Sequence, residues 1–399
     1  MKHWFEESRF GFFIHWGIYS QTAQGEWARY RSEELGGNPA TFNPINFNPQ
    51  SWAELAWNAG MRYVVFTTKH HDGFCMFDSH YTDFKITNTP YQKDVTKELV
   101  EAFRDKGLKI GFYHSLIDWH HPHYLPDHDH PQGKNGETQF PAVNSNIYRK
   151  YLFDSVHQLM TEYGKIDLLF WDYCTRWKTP QYFDPDKLLQ MIRTEQPDII
   201  INDRMTYDRI TDYKYICDYR TPEVAIPTIP PSSKWETCAT TNGAWGYNEH
   251  APLKTQPEAF QAGLVACVAN NGNLLLNVGP DSLGQIPDHS TKVLRSLAQW
   301  MTWASEAIHG CGRASFTPPP LGIYTQKGKH LYLYLPVHPM AHFILPDLRD
   351  KAVAATLLRT GENVTLSSWG LEHACPNDVR LIPPPSIQAH DIVKITLAD

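Results

Sequence analysis

The sequence predicts an α/β protein: a (β/α)8-like barrel over residues 1–315, followed by a C-terminal antiparallel β-sandwich over residues 316–399. Three observations carry that expectation. Eight short apolar runs alternate mostly with helical patterns through the first part of the chain, as a barrel requires. Each run stops on polar, reactive side chains, where a parallel barrel exposes its strand ends to ligands. Beyond Pro318-Pro319-Pro320 the helical pattern ceases and alternation at a period of two takes over. A doubly wound open sheet would alternate as well, but no G-x-G-x-x-G turn follows the first run.

The first run, Gly11-Phe12-Phe13-Ile14, ends on His15-Trp16-Gly17, and the loop after it carries Glu26-Trp27. Asn48-Pro49 opens a helix over 51–59, with the Asn side chain as cap and Pro in the first turn. Tyr63-Val64-Val65-Phe66-Thr67-Thr68 is rich in β-branched residues and ends in Lys69-His70-His71-Asp72-Gly73. A helix over 95–106, with Leu99 and Phe103 on one face, leads past Gly107 to the third run, Lys109–Ser115, which carries Tyr113 and His114 near its end. The loop that follows has about thirty residues, too many for a plain connection, and is a candidate wall of an active site. It holds the histidine-rich stretches Trp119-His120-His121-Pro122-His123 and His128-Asp129-His130.

A long helix over 146–163 leads to Leu168-Leu169-Phe170-Trp171, an apolar run too short for a buried helix, which stops on Asp172. Asp184-Pro185 starts the next helix, Asp as cap, and the run Ile199-Ile200-Ile201 ends in Asn202-Asp203-Arg204. A strand near 215–218 delivers Arg220-Thr221-Pro222-Glu223, and a weaker one carries Lys234-Trp235-Glu236, so the barrel is expected to be irregular there. Helices over 257–268 and 292–307 flank the last run, Asn273-Leu274-Leu275-Leu276-Asn277-Val278-Gly279-Pro280. In the C-terminal part, 331–335, 353–358 and 392–397 read as strands.

A formal charge of −7 with no basic run excludes a phosphate-neutralising nucleic-acid partner. Tryptophan, tyrosine and phenylalanine make up 13% of the chain, which suits stacking on sugar faces. Seven cysteines form no C-x-x-C pair and are expected as reduced thiols. The opening residues lack the apolar region of a signal peptide, and nowhere do eighteen apolar residues run together. A soluble, cytoplasmic protein without a membrane partner is the expectation.

Gathered together, the strand ends supply two kinds of chemistry. Carboxylates such as Asp172, Glu223 and Glu236 are what glycoside hydrolysis needs, one as nucleophile and one as proton donor. Histidines and an arginine supply donors to sugar hydroxyls. No phosphate-cradling glycine loop is present. The competing reading is a metal site at His70-His71-Asp72 or in the histidine-rich loop. Adjacent histidines on a strand point in opposite directions, however, so His70 and His71 are not expected to chelate one ion. The H-x-H of barrel metallohydrolases is also absent from the first run, and neither metal nor organic cofactor is expected.

Phe12-Phe13-Ile14-His15-Trp16-Gly17, Lys69-His70-His71-Asp72-Gly73-Phe74, Asn202-Asp203-Arg204, Lys234-Trp235-Glu236 with Trp245-Gly246-Tyr247, and Asn273 through Pro280 together resemble the α-L-fucosidases of glycoside hydrolase family 29. The resemblance covers residues 1 to about 310 and rests on the order and spacing of several motifs. It implies a retaining exo-hydrolase that releases L-fucose from fucosylated oligosaccharides or glycoconjugates, without a cofactor. It places the nucleophile at Asp172 and the acid/base at Glu223, with Glu236 as the alternative acid. His15, Glu26, Trp27, His70, His71, Tyr113 and Arg204 match fucose-binding positions, and Trp235 with Glu236 is expected to orient the sugar or its loop. Phe13, Phe74 and Trp235 are expected as walls of a pocket for the fucose methyl group. The alternatives are a fucose-binding protein without catalysis and a metal-dependent barrel hydrolase. A homo-oligomer is also expected, because an open barrel mouth is readily completed by a neighbour's loop.

Overall fold

Seven parallel strands form one sheet in the computed structural model, which describes residues 3–126, 128–134, 143–172, 183–205, 217–251, 254–339, 342–371 and 373–398. They are β1 (Phe10–Ile14), β2 (Tyr63–Lys69), β3 (Lys109–Ser115), β4 (Leu168–Asp172), β5 (Ile200–Ile201), β6 (Glu236–Thr240) and β7 (Asn273–Val278). Their order, β5-β4-β3-β2-β1-β7-β6, leaves β5 and β6 as the two edges. Between those edges runs Asp218–Arg220. Asp218 N–H donates to Ile201 O at 2.7 Å, and on the other side Arg220 N–H donates to Lys234 O at 2.9 Å. Tyr219 and Arg220 make single parallel bridges to Asn202 and Trp235. The expected strand near 215–218 therefore falls partly outside the described residues, at 215 and 216, while Asp218–Arg220 spans the gap. The result is a barrel-like domain.

Period-two alternation sorts the side chains. Phe13, Tyr63, Val65, Tyr113, Leu168, Phe170, Tyr219, Cys238 and Leu275 form an interior cluster, whereas Phe12, Ile14, Val64, Phe66, Phe112, Leu169, Trp171, Leu274 and Leu276 pack outward with the helices. Phe5, from the short helix Trp4–Ser8, joins the interior at the N-terminal end of the strands. Gly11 is required there, because a Cβ at this position would sit 2.3 Å from the Tyr63 ring.

The outer helices begin close to where the capping residues indicate. Asn48 Oδ1 accepts from Ser51 N at 2.9 Å at the start of Pro49–Asn58, and Asp94 Oδ1 accepts from Lys97 N at 2.8 Å at the start of Val95–Asp105. Asp184 departs from expectation. Its backbone is left-handed at φ 49°, and its carboxylate bonds the Lys187 ammonium instead of capping Pro185–Glu195. Among the described residues no helix is long and apolar enough to cross a membrane.

The C-terminal part is β-rich. One antiparallel sheet contains Gly312–Arg313, Ile323–Lys327, His330–Tyr334, Ala352–Leu357 and Ile392–Leu397, and a second contains Phe343–Leu345, Thr365–Ser367 and Val379–Ile382. Along His330–Tyr334, Leu331 and Leu333 face the core shared by these sheets, while Tyr332 and Tyr334 turn to the barrel-like domain's outer cluster. Its first strand, Gly312–Arg313, begins within the span expected for the barrel.

Candidate active site

Asp172 ends β4 with its side chain on the inward register of Leu168 and Phe170. Two donors fix its carboxylate: Tyr113 Oη–H to Oδ2 at 2.8 Å and Arg204 Nη1–H to Oδ1 at 2.9 Å. His71 Nε2 stands 3.7 Å from Oδ2. Burial alone would raise the Asp172 pKa, but Arg204, His71 and the Tyr113 hydroxyl outweigh it and hold the carboxyl below its ordinary range. The guanidinium of Arg204 also reaches a second acid, Glu223 Oε2, at 2.9 Å from Nη2. One cation thus lies across two carboxylates at the strand ends.

The Asn202-Asp203-Arg204 motif explains the precision of this arrangement. Backbone pairing between β4 and β5 stops at Leu169–Ile201. The Asn202 side-chain amide then continues the ladder, accepting from Trp171 N and donating to Trp171 O, both at 2.9 Å, immediately before Asp172. Arg204 lies over the Phe170 ring, 5.1 Å from its centroid.

His15, His70 and His71 gather beside this pair. His15 Nδ1 is 2.7 Å from Asn277 Oδ1, and His71 Nδ1 is 2.6 Å from Ser115 Oγ. His70 stacks on Tyr113 with centroids 5.3 Å apart and rings nearly parallel. Burial pushes His15 and His71 down to about 4, and it pushes His70 well below the ordinary histidine range, reinforced by its two histidine neighbours. At neutral pH all three are therefore neutral imidazoles, suited to hydrogen-bonding hydroxyls. The expectation that His70 and His71 diverge is not met: their ring centroids are 4.1 Å apart. Strand alternation ends at Lys69, so it no longer governs the two residues that follow.

Trp27 meets His71 edge-on at 5.3 Å and Trp119 at 5.1 Å. Glu26 is buried, and its Oε2 accepts from Gly246 N at 2.8 Å; burial raises its pKa. Asp172, Glu223, His15, Glu26, Trp27, His70, His71, Tyr113 and Arg204 thus belong to one region.

Trp235 and Glu236 do not. They stand at the start of β6 and not at its end, so a parallel strand carries them to the opposite face. Trp235 packs over Gly272, where a Cβ would lie 2.2 Å from the indole, and its Nε1–H donates to Asn270 O. The fully buried Glu236 accepts from the Tyr63 hydroxyl beside Asn273. Phe74 is also misplaced by the sequence reading: it packs outside the barrel on Phe42 and Phe84. His114 turns outward, toward Thr68 and Trp171. Sequence reasoning missed Asn277, Ser115, Trp245 and Thr221. Trp245 packs 5.2 Å from His15 and 6.0 Å from Phe13, and the period-two spacing of Asn273, Leu275 and Asn277 was a signal for the inward-facing amide.

Glu236 carries a stability prediction. Burial pushes it up to about 8, against the pull of the Tyr63 hydroxyl and Arg204. The folded state therefore retains a proton that the unfolded chain releases in the ordinary carboxylate range. Stability from this group is full at low pH and is lost as pH rises toward about 8. Glu236→Gln keeps an acceptor for Tyr63 and cannot ionise. The melting temperature of the variant minus that of the parent should grow by a few degrees between about pH 5 and pH 8. Parallel melting curves across that range would reject the protonated assignment.

A sequence profile described as Alpha-L-fucosidase matches residues 1–306. Alpha-L-fucosidase isoenzyme 1 from Paenibacillus thiaminolyticus has a solved structure that is 38% identical, with a TM-score of 0.95, covering 100% of this chain and 99% of that one. The tissue alpha-L-fucosidase of Bos taurus is 30% identical over 383 residues, spanning 88% of this chain and 78% of the bovine protein. The Thermotoga maritima alpha-fucosidase, solved in complex with a mechanism-based inhibitor, is 25% identical with a TM-score of 0.80, covering 98% and 96% of the two chains.

Proposed function

Because the chain belongs to the α-L-fucosidase family and is a glycoside hydrolase acting on fucosides, we propose that it releases L-fucose with retention, Asp172 serving as nucleophile and Glu223 as acid/base. The observation that carries this reading is the single Arg204 guanidinium bonded to both carboxylates. In the first step an Asp172 oxygen bonds to the anomeric carbon while the leaving oxygen departs with a proton from Glu223. In the second, Glu223 removes a proton from water as that water displaces Asp172 from the sugar. Tyr113 and Arg204 keep Asp172 ionised and aimed before attack.

The neutral imidazoles of His15, His70 and His71, together with Glu26, bind the sugar hydroxyls in this reading, and Trp27 covers a ring face. Phe13 and Trp245, both against His15, are the walls offered to the methyl group, which a galactose hydroxyl would meet unpaired. Asp218–Arg220 serves as the stave that closes an eight-stranded barrel, and the two antiparallel sheets from Gly312 onward form a β-sandwich packed against it.

The test is covalent labelling with a 2-fluoro-fucosyl fluoride followed by peptide mapping. The label should sit on Asp172, and the initial product of an aryl α-L-fucoside should be the α-anomer. A label on another carboxylate, or a β-anomeric product, would overturn the mechanism.

A further inference from the structure

Besides the bonds to the proposed catalytic carboxylates, a long contact to Cys238 Sγ at 3.9 Å and its place over the Phe170 ring, Arg204 makes two hydrogen bonds to Thr221. Its Nε–H donates to Thr221 Oγ1 at 3.0 Å, and its Nη2–H to Thr221 O at 3.3 Å. Thr221 is itself held: its N–H donates to Asp203 Oδ1 at 3.1 Å and its hydroxyl to the same oxygen at 2.7 Å. With its one proton committed to Asp203, the hydroxyl presents only a lone pair to Nε–H. Thr221 is buried, on the strand-like stretch that passes β6 and two residues before Glu223, whose bridge to Cys238 fixes the same stretch.

We propose that Thr221, oriented by Asp203, is a positioning residue that fixes the Arg204 guanidinium across both carboxylates. The inference rests on the assignment of Asp172 and Glu223 above. A guanidinium can swing about its last torsions, and an anchor at Nε leaves Nη1 and Nη2 one direction each. Nη1 then meets Asp172 and Nη2 meets Glu223. The anchor and the acid share one short segment, so the same two bonds set the distance between the reacting carboxylates. Asp203 Oδ2 also faces Arg220 at 3.5 Å, an exposed pair that contributes little.

The experiment is a double-mutant cycle in the full-length enzyme, using Thr221→Val, Asp203→Ala and the pair, with Thr221→Ser as control. Each single variant should lower kcat by roughly tenfold while KM stays within about twofold, since the bond lost orients a charged group and does not touch the sugar. The double variant should lose no more than the worse single one, because both break one chain. Thr221→Ser should recover to within about twofold of the parent. Multiplicative losses, a change confined to KM, an unrescued serine variant, or parent-like kcat in Thr221→Val would each overturn the proposal. Labelling of the parent enzyme separates the two levels: a label away from Asp172 removes the underlying assignment, whereas a label on Asp172 with an additive cycle removes only the positioning role.

Discussion

Asp172→Asn should lower kcat on a nitrophenyl α-L-fucoside by about a thousandfold or more while leaving fucose binding largely intact. The side chain is close to isosteric, and its amide oxygen still accepts from Arg204. What is lost is the negative charge and the nucleophilic oxygen. Tyr113 loses its acceptor if the amide nitrogen takes the Oδ2 position, and Arg204 retains its contact with Glu223. The loss should therefore fall on kcat, and calorimetric titration with L-fucose should give a Kd within a few-fold of the parent value. Rate loss with a proportionate loss of binding would point to a disturbed pocket instead. A melting temperature close to the parent's would exclude unfolding as the cause, since only 17% of this side chain is exposed and its replacement introduces no volume.

Much of the architecture was legible because it follows from side-chain period. The runs ending at Ile14, Trp171 and Val278 alternate between an interior and a helix-facing set, and each delivers its polar terminus to one face. Asn48 marks a helix start because a short acceptor there satisfies an open backbone N–H. Other parts were not legible, for equally physical reasons. Strand ends show that a polar residue is present but not which end of the strand it occupies, and so Trp235 and Glu236 were assigned to the wrong face. Lys69 is the last residue of β2, and beyond it the backbone of His70 and His71 follows loop geometry that no period describes. Phe343–Leu345 and Thr365–Ser367 are too short to alternate, and they are strands only because Val379–Ile382 pairs with both. Thr221 gave no signal, because its role arises from Asp203 and Arg204, which are remote in sequence.

Glu223→Ala should divide substrates by leaving group. A poor leaving oxygen needs a proton in the transition state, whereas a dinitrophenolate leaves unaided. Turnover of a fucosyl disaccharide should accordingly fall by about a thousandfold, while cleavage of dinitrophenyl α-L-fucoside to the covalent intermediate should persist. Hydrolysis of that intermediate also loses its general base, so azide, which needs no deprotonation, should accelerate turnover and yield the α-fucosyl azide, formed by a single inversion from the β-linked intermediate. Glu236→Ala should not show this pattern. Glu236 is fully buried beneath Tyr63 at the start of β6, and its loss removes a hydrogen bond in the barrel floor, so its cost should appear as a lower melting temperature. Arg204 makes the contrast sharper. In Glu223→Ala it loses one acceptor and keeps Asp172, which therefore remains ionised and able to attack. Azide rescue appearing in Glu236→Ala and not in Glu223→Ala would exchange the two assignments. Rescue in neither would place the acid on another carboxylate, with Glu26 the first to test, because its pKa is raised by burial and its Oε2 already lies against the backbone beside Trp245.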